Sequence, residues 1–202
     1  MGQNAYLALA PLLNNLISPT SYIPSLADIA QHALAYLRLT FDGYKERVGP
    51  RAVFEVALFG FCHRTNQLSV FHYIPNRVNG IVTMTCTPHQ NMKDKEFVYL
   101  GDEKRRMFSS ITAAFSGDSV PGRPLSRIPR YIIQDRIDDE SCKTIGGDLQ
   151  LGIADKLGFR PFTICKPLVK GQPAAYLSYL GRELTADIAH VGEAIVGGPS
   201  IV

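Results

Sequence analysis

Two adjacent glycines, Gly146 and Gly147, lead into the short run Leu149-Gln150-Leu151-Gly152-Ile153-Ala154, and this junction constrains the fold more than any other stretch. Glycine takes positive φ or lets a second backbone approach closely. Leu149, Leu151 and Ile153 alternate with Gln150, Gly152 and Ala154, the period of a strand with one face on a layered core. The glycine pair is too short for a phosphate-binding loop, which needs further glycines and a strand-to-helix setting. Its role here is structural.

Helical and strand periods alternate along the rest of the chain. An apolar segment over 6–16 reads as a partial helix, broken by the turn residues of 18–24. Ser25 offers an N-cap and Asp28 an acid three residues on. Leu26, Ile29, Ala30, Ala33, Leu34, Leu37 and Phe41 then recur at helical spacing, with Gly43, Gly49 and Pro50 marking the end. Residues 53–61 and 68–74 read as two strands of a hairpin around His63-Arg64-Thr65-Asn66-Gln67. Further strands are expected over 81–86 and 97–100, separated by the polar loop 88–95. Asp102 can cap a helix towards Phe115 whose inward stripe is Met107, Phe108, Ile111, Ala114 and Phe115. After the extended segment holding Pro121, Gly122, Pro124 and Pro129 come a short helix near 131–138 and the diglycine strand. A hairpin through Lys156-Leu157-Gly158 then leads into a strand over 159–165, and residues 175–180 and 193–196 read as edge strands. The fold class is α/β layered (α+β), with antiparallel sheets flanked by helices in one domain over 1–202.

Composition limits the function classes. A chain of 202 residues, 46% hydrophobic and 19% charged, can bury a sizeable core without metal or disulfide support. Its formal charge of +3 includes one compact basic run, Lys104-Arg105-Arg106, too few phosphate contacts for a nucleic-acid surface. Cys62, Cys86, Cys142 and Cys165 show no CxxC spacing and read as thiols of a reducing compartment, so the expected location is cytoplasmic. No segment has the length of a membrane span, no basic region precedes the interrupted apolar start, and Tyr6 stands where a myristoylated terminus wants Ser or Thr.

The candidate site residues carry no complete motif. His63 lies between Cys62 and Arg64 in a loop, but neighbours in sequence do not make a Cys-His pair. His72 falls in an apolar strand and His89 in a polar loop, neither with metal-ligand spacing. Asp138, Asp139 and Glu140, followed by Asp148 and Asp155, could serve acid-base chemistry or a cation only if folding brought them together, and a solvated helix end is the plainer reading. No cofactor or metal is expected, and no catalytic residue is assigned, Cys62 and Thr144 included.

The order of elements resembles the later part of a proteasome-like N-terminal-nucleophile hydrolase over roughly residues 5–165. Residues 25–44 look like the second helix of the family's first helix pair, 54–73 like the strand pair after it, and 144–153 like the strand entered through a diglycine. The resemblance implies a four-layer arrangement, assembly into homo-oligomers and amide-bond hydrolysis by an N-terminal Thr, Ser or Cys whose own α-amine acts as base. Here Met1 is followed by Gly2, Gln3 and Asn4, which lack a hydroxyl or thiol. The helix-like segment from Tyr6 also leaves no room for the two N-terminal strands of the family, so residues 1–202 are expected to form a single proteasome-like domain or one truncated of those strands. The expectation is a homo-oligomeric proteasome-like protein that is itself inactive as a peptidase. The alternative is a noncatalytic protein-binding or scaffold subunit with a protein or peptide partner, and an unrelated small-molecule enzyme with a cleft built from distant residues stands beside both.

Overall fold

The structure, a computed structural model, describes residues 9, 21–49, 53–117, 125–146, 149–167, 175–179, 182–183, 190–195 and 200–201. The chain is mixed α+β and divides into two compact units, residues 1–101 with 155–158, and residues 102–154 with 159–202.

In the first unit helix α1 (Leu26–Val48) begins at a reciprocal cap. Ser25 Oγ accepts from the Asp28 N–H at 3.1 Å, and the Asp28 carboxylate accepts from the Ser25 N–H at 2.8 Å. The helix continues through Gly43, where the sequence suggests an end, and stops at Gly49, whose φ of 64° turns its N–H back to the Lys45 carbonyl. One mid-helix glycine costs only about 1 kcal/mol, and Phe41 buried on one side of it and half-buried Tyr44 on the other hold the helix to the core.

Strands β1 (Val56–Cys62), β2 (Gln67–Val78) and β3 (Ile81–Gln90) form an antiparallel sheet in that order. The ladder pairs Leu58 with Phe71, Val56 with Tyr73, and Tyr73 with Cys86. Period two therefore places Ser69, Phe71, Tyr73, Met84 and Cys86 on one face. Ala30, Ala33, Leu34, Leu37 and Phe41 of α1 pack with Phe54, Phe71, Tyr73 and Met84 in one core, which Leu9 joins. The buried Tyr73 hydroxyl donates to the Ala30 carbonyl at 3.0 Å. Two carbonyls on the edge strand β3 accept from α1: Met84 from Arg38 Nε at 3.0 Å and Val82 from Lys45 Nζ at 3.2 Å. Those bonds occupy an edge that would otherwise invite another strand.

Strand β2 runs past Pro75, where the sequence reading stopped it. Its pairing with β1 ends at Tyr73, so Pro75 borders no β1 residue and its missing N–H breaks no β1 bond. Asn79 and Gly80, with φ of 50° and 83°, close the β2–β3 hairpin. Residues 97–100, expected as a strand, join no ladder, and His89, expected in a loop, lies within β3.

The second unit holds α2 (Lys104–Ser116), a 3-10 turn (Leu125–Arg127) and α3 (Ile128–Ile137). The residue capping α2 is Glu103 in left-handed geometry, with φ of 52°, rather than Asp102. Of the expected stripe, Met107 and Ile111 are buried while Phe108 is exposed. β4 (Leu151–Asp155) and β5 (Gly158–Pro167) pair across Lys156 and Leu157, where Asp155 Oδ1 accepts from the Leu157 N–H at 2.8 Å and Gly158 has φ of 112°. β5 also pairs antiparallel with β6 (Ala175–Tyr179), which pairs with β7 (Arg182–Glu183). β10 (Ser200–Ile201) joins β5 in parallel, a departure from an all-antiparallel expectation, and β8 (His190–Val191) pairs with β9 (Ala194–Ile195).

The diglycine strand differs in detail from its sequence pattern. Leu149 is buried, but Ile153 is 41% exposed, so the expected apolar alternation does not persist. Gly152 is the constrained position: a Cβ there would lie 2.5 Å from the Phe159 ring. Gly147, Asp148 and, apart from Leu9, the segment 6–16 lie outside the described residues, as do Pro121, Gly122 and Pro124.

Leu37 is fully buried at the centre of the helix-to-sheet contact. We expect Leu37→Ala to destabilise the first unit by about 2–5 kcal/mol through lost burial and a residual cavity, read as a lower denaturant midpoint. Tyr73→Phe, which removes the hydroxyl that bonds the Ala30 carbonyl and the Cys86 thiol, should cost about 1 kcal/mol.

Candidate functional site

The head of α1 meets the β1–β2 turn, and a set of polarised groups gathers there. Cys62 ends β1 and is buried, with Sγ accepting from the Leu26 N–H at 3.3 Å. This N–H is one of the donors that a helix leaves unpaired in its first turn. The Thr65 hydroxyl, together with the N–H groups of Leu26, Thr65 and Arg64, pulls the thiol from its usual value down to about 7 against the opposing effect of burial. A thiol so placed is largely thiolate above neutral pH, the nucleophilic and oxidisable form.

Beside it Tyr22 donates to Asp28 Oδ2 at 2.6 Å and accepts from Arg64 Nη1 at 3.0 Å. The Arg64 guanidinium also stands over the Tyr22 ring, 5.0 Å from its centroid. The Tyr22 hydroxyl and the Ser25 N–H and hydroxyl hold the Asp28 carboxyl down at about 2. These contacts fix the turn to the helix head. His63 is exposed and lies edge-on to Phe61, with ring centroids 5.2 Å apart.

A second cluster lies on the sheet face turned away from α1. His72 Nε2 is 2.8 Å from Glu55 Oε2, and the His89 ring, one diagonal step across the ladder, is 6.5 Å from the His72 ring. Among the described residues the buried His89 Nε2 has no hydrogen-bond partner. Such a histidine-carboxylate pair orients an imidazole for proton transfer. Among the described residues no group of three or more His, Cys, Asp or Glu side chains is placed to hold a metal ion.

In the second unit Arg136 is only 8% exposed and bridges two acids. Its Nε and Nη2 donate to Glu103 at 2.9 and 2.6 Å, and its Nη1 donates to Asp139. The Glu103 bonds raise the guanidinium further, and the same bonds hold Glu103 below its usual range. Asp139 is held down first by the Ser141 hydroxyl and N–H, at 2.6 and 2.9 Å, and then by Arg136. A hollow of about 330 Å³ opens beside this network, lined by Arg106, Met107, Ser110, Ile132, Asp135 and Asp139. Of the acidic run, Asp138 accepts from Gln134 at 2.7 Å at the end of α3, while Asp139 is engaged more deeply than a solvated helix end. Arg106 of the basic run stands 3.8 Å from Glu103. Cys142 Sγ is 3.9 Å from the same carboxylate. Burial raises the Cys86 thiol and the Tyr73 phenol, opposite in direction to Cys62.

Sequence reasoning named Cys62 but assigned it no partner, because Leu26 and Thr65 reach it only after the turn folds onto the helix. Arg136 and Glu103 were missed altogether. A single arginine 33 positions from its acid carries no local pattern. Comparison with protein-family models, with curated proteins and with solved structures finds no match to this chain.

Cys62 should alkylate with a pH midpoint near 7, and Thr65→Val should move that midpoint towards an ordinary thiol; the rate of iodoacetamide labelling against pH measures both. Because the folded value lies below the unfolded one, this thiol contributes stability fully above about pH 9, lost as the pH falls through 7. For Asp28, by the same sign, the contribution is complete above about pH 4 and is lost towards pH 2. Asp28→Asn should therefore flatten the acid limb of the stability profile between those values. Arg136→Met should lower the melting temperature of the second unit, with Arg136→Lys recovering only part of the loss, since a lysine cannot reproduce the two-pronged bond to Glu103.

Proposed function

We propose that this chain is a noncatalytic protein-binding subunit of proteasome-like type that self-associates through the sheet face turned away from α1. The observation that carries the reading is the apolar end of that face. Phe59 pairs with Val70 and Phe61 with Leu68 in adjacent rows of the ladder, and Phe59 and Leu68 are 48% and 55% exposed. Two large apolar side chains side by side on a regular surface favour a protein contact over solvent. The four side chains carry no charge, so a second copy can lie against the same patch without like-charge repulsion, as an isologous contact requires. The proteasome-like part of the proposal is supported by a helix followed by an antiparallel strand pair in the expected order. Amide-bond hydrolysis, the activity that the resemblance implies, stands as the alternative reading.

Sedimentation over a wide concentration range provides the test. The wild-type chain should associate, and the double variant Phe59→Ser/Leu68→Ser should remain monomeric with an unchanged far-ultraviolet circular dichroism spectrum. A wild-type chain that is monomeric throughout sinks the self-association. Turnover of peptide substrates by the purified chain, abolished by substitution of one internal Ser, Thr or Cys, would replace the noncatalytic reading by a hydrolase.

A further inference from the structure

We draw no further inference here: the strongest candidate, the His72, Glu55 and His89 cluster on the sheet face turned away from α1, is a histidine-carboxylate pair whose second imidazole stands 6.5 Å from the first, and among the described residues it forms no group placed to hold a metal ion and nothing shows what it would act on.

Discussion

The first unit depends on the seating of α1 against one face of its sheet. A sheet with one apolar face must bury that face against another element, and a helix gains most of its stability from burying an apolar face rather than from propensity. Each therefore supplies what the other lacks. Leu37, Phe41, Tyr73 and Met84 meet at the centre of the contact, and a buried side chain of that size contributes roughly 1.5–3 kcal/mol. Polar bonds then set the register: Tyr73 reaches the Ala30 carbonyl, while Arg38 and Lys45 reach carbonyls on β3. Apolar burial is not directional, so these bonds determine how far along the sheet the helix lies.

Much of this was legible in the sequence where one local signal decided the outcome. Ser25 and Asp28 announced the helix start because the capping box needs those two residue types at that spacing, and Leu34, Leu37 and Phe41 disclosed the inner stripe. The strand pair and the helix after Asp102 were legible in the same way. The failures have a common cause in pairing, which a window of sequence does not contain. Residues 97–100 have strand-forming side chains but enter no ladder among the described residues, whereas β2 passes through Pro75 because β1 has already ended there. Asn79-Gly80 was a readable hairpin signal that was passed over. Gly152, in the strand after the diglycine, is a position where the missing Cβ makes room for a ring on the next strand.

Site residues were less legible than fold residues, and the reason is again distance along the chain. Arg136 acquires meaning only when α3 brings it to Glu103 before α2, and an acidic run that reads as solvated gives one member, Asp139, to that contact. Removing either partner would leave a poorly hydrated charge, so the arrangement constrains how the two helices meet more than it adds net stability. His72 lies in a strand with no metal-ligand spacing around it, and Glu55, just before β1, gives it a partner that sequence spacing does not suggest.

At the head of α1 the polarised thiol and the helix cap are one interaction. Leu26 offers an N–H that the helix itself cannot use, and Cys62 Sγ takes it while closing β1 onto the helix. The same donors that favour the thiolate thus fasten strand to helix, with Thr65 and Arg64 adding the turn to the arrangement. Chemistry at this sulfur cannot be independent of structure: a bond formed at Sγ removes negative charge that these N–H groups stabilise and weakens the attachment of the turn. Tyr22, Asp28 and Arg64 provide a second attachment that does not pass through sulfur. The turn is therefore held by one contact sensitive to the state of the thiol and one that is not, and the reactivity of Cys62 is a property of that junction rather than of cysteine alone.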